Sequence, residues 1–285
     1  MFTNQKIYIA LLLSVFLTNC SLFGDDEDDN EFAGLSTEAQ FYERALDQLN
    51  GQNFRAAIST YQALESRFPF GRYAEQAQIE IVYAYYRNDD MEAARAAADR
   101  FIRLHPDSEN IDYAYYMKGL SAYSKGEDFL ARFLPIDTTK RDANFAKESF
   151  AEFSQVVSRY PESPYAADAR SRMIHLRNLL ARQEINVANY YLRRGAYLAA
   201  LNRGRYVVEN MQRTSSVPDG LAIIAQSYFL LEMEQLAEDT IKTLLLNYPE
   251  HPSLDENGNF QTSYSIDGFE RSWINRASFG LFDPP

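Results

Sequence analysis

Eight arginines carry the most concentrated chemistry in this 285-residue chain. Arg170, Arg172, Arg177, Arg182, Arg193, Arg194, Arg203 and Arg205 all fall between Ala169 and Val208, where the only acid is Glu184. With eight bases against one acid this segment carries +7, inside a chain of formal charge −12. A guanidinium is a planar fork of donors that pairs bidentately with carboxylates. The segment can therefore meet an acidic partner or anionic headgroups. A solvated face balanced by acids on neighbouring helices is the other reading. Catalytic chemistry is missing. His105, His175 and His251 are far apart and lack ligand spacing, and no phosphate loop, zinc motif or nucleophile elbow occurs. Asp89 and Asp90 read as solvated turn residues. The expectation is a non-enzyme without metal or cofactor. The acidic balance argues against a general nucleic-acid binder.

Cys20 is the single cysteine, which excludes an internal disulfide. It ends an apolar run, Ile7–Leu17, that follows Lys6. The run is too short for a bilayer span of ~20 residues and fits a secretory signal peptide. Leu17-Thr18-Asn19-Cys20 resembles a bacterial lipobox, with Asn19 in place of the usual small residue. The cysteine would then carry diacylglycerol on sulfur and a third acyl chain on its amine. Each acyl CH₂ contributes ~0.8 kcal/mol, so three chains anchor durably. A plain signal peptide with an incidental cysteine is the alternative. Ser21 after the cysteine favours the outer membrane. Residues 1–19 are thus read as signal peptide and 20–35 as an acidic tether. The tether carries the run Asp25-Asp26-Glu27-Asp28-Asp29 and reaches at most ~50 Å.

The elements that must position the arginines are helical. Ala57, Tyr61 and Leu64 share one helical face, and Pro69 stops the helix. The spacing recurs as Ala94, Ala98, Phe101, Pro106; as Ser149, Phe153, Val156, Pro161; as Ala200, Gly204, Val207, Gln212; and as Ala237, Ile241, Leu244, Pro249. The step is 37 residues from first to second copy and from fourth to fifth. A helix–turn–helix period near 34 is that of tetratricopeptide repeats. The expected fold is all-α, an α-solenoid of five such repeats with one long connecting helix. Thr37 and Gln40 have capping-box spacing at its start, and Gly51 is expected to free the first turn. Residues 36–124 hold repeats 1 and 2 and the first helix of repeat 3. Residues 125–142 are an insertion bearing Phe129, Leu130, Phe133, Leu134 and Ile136, either folded back or meeting a partner. Residues 143–250 hold the rest, including a long helix over 165–194. The tail 251–285 is expected to be flexible, or to be an aromatic-anchored motif that orders on a partner.

Strung along this frame are Arg-Phe-Pro-Phe-Gly-Arg-Tyr (67–73), Tyr-Ala-Tyr-Tyr-Arg-Asn (83–88), Arg-Phe-Ile-Arg-Leu-His-Pro (100–106), Asn-Ile-Asp-Tyr (110–113) and Tyr-Tyr-Leu-Arg-Arg-Gly-Ala-Tyr (190–197). Together with the lipobox they resemble the BamD (ComL-type) family of outer-membrane β-barrel assembly lipoproteins. The resemblance covers about residues 17–250. It implies five tetratricopeptide repeats, no enzymatic activity and docking to the periplasmic POTRA domains of the barrel-forming subunit. Arg203, in Leu-Asn-Arg-Gly-Arg (201–205), matches the family arginine that meets the POTRA domain nearest the barrel. Arg193, Arg194 and Arg205 flank it, and Arg141-Asp142 matches a charged pair in the insertion. Tyr73, Tyr83, Tyr86, Tyr113 and Tyr116 put aromatic area on the first three repeats. They could bind aromatic ends of unfolded outer-membrane proteins or simply pack the core. The implied partners also include other assembly-machine lipoproteins and, through the anchor, the membrane. The competing readings are a periplasmic repeat lipoprotein that binds peptidoglycan or a secretion-system component, and a lytic transglycosylase. The last would need a second domain with a catalytic glutamate, and the repeats leave no room for one.

Overall fold

The computed structural model describes residue 32 and residues 34–125 and 144–262. Cys20, the chain before Phe32, the body of the insertion and the tail from 263 onward lie outside the described residues. Ten α-helices are present among those described, with an isolated antiparallel bridge between Leu254 and Phe260. They are α1 Glu38–Asn50, α2 Phe54–Arg67, α3 Ala74–Arg87, α4 Met91–Leu104, α5 Ile111–Lys125, α6 Asn144–Arg159, α7 Ala166–Arg193, α8 Tyr197–Asn210, α9 Val217–Leu230 and α10 Glu234–Asn247. This is the all-α, helix–turn–helix repeat fold expected. The chain divides into two compact units, Met1–Ala84 and Tyr85–Pro285.

The repeated spacing is the core. Ala57, Tyr61 and Leu64; Ala94, Ala98 and Phe101; Ser149, Phe153 and Val156; Ala200, Gly204 and Val207; and Ala237 and Leu244 are all buried. Ile241 is half-buried against the last of these. The small residue of each set lets the next backbone come close. At Gly204 an added Cβ would lie 2.9 Å from the Gly220 carbonyl oxygen, so α8 and α9 meet backbone to backbone.

Starts and stops of helices repeat too. Thr37 forms a capping box with Gln40, and Asn53 and Asp90 accept the N–H groups of Ala56 and Ala93. The tight turn before α2, α4, α8 and α10 places one left-handed residue at the same point. These are Gln52 (φ 60°), Asp89 (φ 64°), Gly195 (φ 73°) and Glu232 (φ 60°). Gly51, expected to relax the first turn, has φ −75°. The unusual backbone belongs to its neighbour Gln52. Second helices end at a non-helical residue before proline, as at Phe68 (φ −131°, ψ 59°) and His105 (φ −129°, ψ 60°). Met211 ends α8 with similar geometry although Gln212 replaces proline, and the Thr214 hydroxyl donates to its carbonyl at 2.8 Å.

In the larger unit, Lys118 on α5 ties three helices. Its Nζ lies 2.8 Å from Asp99 on α4 and 2.9 Å from Glu152 on α6. Burial pulls the ammonium pKa down, but the hydrogen bonds it donates to the two carboxylates, with their charge, outweigh this and hold it above its ordinary value. The 28-residue α7 then serves two cores. Ala169 and Leu176 pack with Phe153 and Val156, while Ile185, Ala188 and Leu192 pack with Ala200, Val207 and Ile223. Residues 251–262, expected as part of a flexible tail, instead pack along α9. His251 sits 3.3 Å from Asp219, Leu254 and Phe260 join Leu221 and Ala222, and Gln226 donates to the Thr262 carbonyl at 2.5 Å.

Gly204→Ala tests the close crossing. The new methyl meets backbone that cannot turn aside, a misfit of about 1–3 kcal/mol that exceeds the ~1 kcal/mol gained in helix propensity. A lower urea midpoint with unchanged helix content is expected.

Candidate partner-binding surfaces

The arginines divide by what holds them. Arg170 and Arg177 donate to backbone carbonyls, of Pro161 at 3.2 Å and Asn210 at 2.7 Å. The second satisfies an open carbonyl at the end of α8 and suits the negative end of its dipole. Arg172 pairs with Asp168 at 2.5 Å and lies over the Tyr123 ring. These three have internal tasks.

Arg203 is placed differently. It leaves α8 toward α7, where Nη1 donates to Glu184 at 2.9 Å. That hydrogen bond, then the carboxylate's charge, raises its pKa above the ordinary arginine value. Glu184 is 15% exposed and Arg203 45%, so the pair fixes the guanidinium while leaving much of it in solvent. The one acid of the basic segment is thus used to orient one base.

Arg205 leaves the same helix toward α9, donating to the Tyr228 hydroxyl at 3.1 Å. Arg203 and Arg205 therefore lie on opposite flanks of α8. Arg193 and Arg194 are exposed at the end of α7, and Arg194 covers the Tyr190 ring at 5.4 Å. They stand nine and ten residues beyond Glu184, about 14–15 Å along the helix. The four are not one cluster: Arg193, Arg194 and Arg203 border α7 and α8, while Arg205 lies on the α9 side of α8. Tyr190 on α7 and Leu198 and Tyr206 on α8 are also exposed.

The five candidate tyrosines fall in both units. In the smaller, Tyr73 stacks on Tyr42 at 4.6 Å, and Tyr83 is half-buried. In the larger, the Tyr86 hydroxyl lies 3.2 Å from that of Ser124, and Tyr113 and Tyr116 pack on Tyr165. Tyr116 donates to Asp168 at 2.7 Å; burial first, then that bond, pushes its pKa up to about 12, against the pull of Arg172. All five are at least half-buried.

Unforeseen was Glu80, whose carboxylate accepts hydrogen bonds from Tyr42 at 2.8 Å, from Gln76 at 2.7 Å and from the fully buried Tyr61. Burial first, then the bond to Glu80, pushes both phenols well above the ordinary tyrosine pKa.

The histidines stay apart. His105 packs on Phe101, His175 meets the Tyr123 ring edge-on, and His251 has Ser253 at 2.7 Å and Asp219 at 3.3 Å. That last trio has the residue types of a hydrolase triad, but Ser253 is wholly buried, so its hydroxyl is not open to a substrate. It pins the chain after α10 to the start of α9. Among the described residues no cluster of three or more His, Cys, Asp or Glu could hold a metal ion.

The raised phenols predict a pH effect. A group whose pKa is higher when folded contributes stability that is complete below its unfolded value, about 10, and is lost as pH rises through the folded value. Absorbance titration should show a late set of phenols that ionise only as helix content falls. Tyr61→Phe should remove one late phenol and cost about 1.5–3 kcal/mol, as for a hydrogen bond to a charged group.

Comparison with known proteins places these features. The family described as "YfiO: Outer membrane lipoprotein" matches residues 36–244. Outer membrane protein assembly factor BamD of Neisseria meningitidis serogroup B is 38% identical over 252 residues, spanning 88% of this chain and 94% of that protein. The protein of the same name from Vibrio cholerae is 38% identical over 209 residues, 73% of this chain and 87% of its own length. That from Haemophilus influenzae is 31% identical over 245 residues, 85% and 91% respectively. With a match across most of its length and both of its structural units, the chain belongs to the YfiO family of outer membrane lipoproteins, which includes the assembly factor BamD.

Proposed function

We propose that this chain is a non-enzymatic scaffold in the machinery that assembles outer-membrane proteins, held at the periplasmic face of the outer membrane by lipid on Cys20. Its partners are the components of that machinery. The α7–α8 surface docks to POTRA domains of the barrel-forming subunit through Arg203, with Arg193, Arg194 and Arg205 around it. Other lipoproteins of the machinery and unfolded outer-membrane proteins are further partners. Of the candidate tyrosines, half-buried edges rather than whole rings are what an unfolded substrate would meet.

The observation that carries this reading is the Arg203–Glu184 pair. An exposed ion pair contributes only about 0–1 kcal/mol to folding, so stability is a weak reason for it. Its stronger effect is to hold a charged fork in one orientation at the surface, which lowers the entropy lost when a partner carboxylate arrives.

Arg203→Glu should weaken binding to isolated POTRA domains by well over tenfold, since breaking an interfacial charge pair costs about 2–5 kcal/mol. Because this substitution also sets two glutamates together, the exchange Arg203→Glu with Glu184→Arg is the companion variant. It should restore folding stability without restoring affinity in isothermal titration. Unchanged affinity in both variants removes Arg203 from the interface. Separately, Cys20→Ala should move the protein from the membrane fraction to the soluble periplasm.

A further inference from the structure

The turn between α2 and α3 departs from its counterparts. After the proline that ends each second helix, the other repeats carry a charged residue: Asp107 after Pro106, Glu162 after Pro161, Glu250 after Pro249. Where Gln212 replaces proline, Arg213 follows. After Pro69 comes Phe70, and it is 100% exposed. A solvated turn has no use for a bare aromatic ring, whose burial is worth about 1.5–3 kcal/mol.

The turn is rigid. The Glu38 carboxylate accepts the backbone N–H groups of Arg72 at 3.0 Å and Tyr73 at 2.5 Å. It fills the space beside Gly71 so closely that a Cβ there would fall 2.1 Å from it. The Gly71 N–H donates to the Phe68 carbonyl at 3.0 Å. Phe70 is thus presented outward by fixed backbone.

Its location supplies the occupant. Phe32, where the chain enters the described fold, packs on Phe41 at 5.7 Å, and Phe41 packs on Phe68 at 6.0 Å. The Arg67 guanidinium covers Phe32 at 5.6 Å and Phe41 at 4.9 Å. The tether therefore arrives beside the Phe70 turn. Cys20 is twelve residues earlier, so a lipid on it holds this end of the fold within ~40 Å of the bilayer. Between them lie six acids with Ser21, Leu22, Phe23, Gly24 and Asn30, and the run Asp25–Asp29 is unsuited to entering lipid. Arg67 and Arg72 flank Phe70 and can donate to lipid phosphates.

We infer that the Phe70 turn is a membrane-interface contact, in which the ring enters the headgroup boundary while Arg67 and Arg72 meet phosphate oxygens. It makes the lipid anchor a two-point attachment that orients the first repeat against the bilayer. This rests on lipidation of Cys20.

The test uses the full-length lipidated protein in liposomes. Phe70→Trp is made together with Trp273→Phe, which removes the one native tryptophan. Position 70 is fully exposed, so the substitution leaves the fold alone. Interfacial aromatic groups lie about 5–10 Å into the headgroup boundary. Lipids brominated near the carbonyl end should therefore quench the tryptophan about twofold and accompany a blue shift. Asp107→Trp, in the same background, should keep the emission of a water-exposed ring. Protein that floats with the liposomes but shows no quenching at position 70 overturns the inference and leaves lipidation standing. Protein that does not float overturns both. A blue shift that appears only on adding an unfolded outer-membrane protein, without quenching by bromine, assigns Phe70 to a protein partner and also overturns it.

Discussion

Close approach of helix backbones at one small residue per repeat is the constraint on which this fold rests. Ala57, Ala94, Ser149, Ala200 and Ala237 occupy that position and are buried. Everything else in a repeat follows from the gap they leave. A large ring or aliphatic group three to seven residues on fills the space beside the crossing, and the helix must then end before it runs past its neighbour. Dispersion and hydrophobic burial there need tight contact, since a gap of even half an ångström forfeits much of the attraction. Polar links such as Lys118 with Asp99 and Glu152 then fix the helices in register at the edge of the packing.

That core was legible in the sequence because it is a matter of period and size. Small, aromatic and apolar residues at fixed spacing, closed by proline, define a face without knowledge of what it meets. The long helix was legible for the same reason, as uninterrupted pattern from residue 165 to 194. The strained turn was not. Glycine at position 51 drew attention, but turn geometry put the left-handed backbone at Gln52, as it did at Asp89 and Glu232. Only Gly195 at this point has the residue that pays no steric cost there.

The candidate site was legible in composition and not in arrangement. Charge counting isolated eight arginines, but three of them cap carbonyls or pair within their own helix, which depends on tertiary placement. The partner of Arg203 was visible only as an isolated acid nineteen residues away. Glu38 and Glu80 escaped notice entirely. Each is an ordinary exposed-looking glutamate on a helix, and each finds its role through residues far along the chain, the N–H groups at 72 and 73 and the hydroxyls of Tyr42 and Tyr61.

Arrays of stacked repeats commonly lose their end members independently, because each repeat contacts only its neighbours. The helix α7 alters that logic in the larger unit. Its first half is a wall of the core containing Phe153, and its second half a wall of the core containing Val207 and Ile223. Neither core can open without stripping one side from a helix that the other still needs. The two are expected to melt together, and what tightens α8 against α7 should also protect α5 and α6 from local unfolding. A partner bound at Arg203 would be felt about five helical turns away, from Glu184 back to Ala166, through backbone that is never interrupted, at ~3.6 residues per turn.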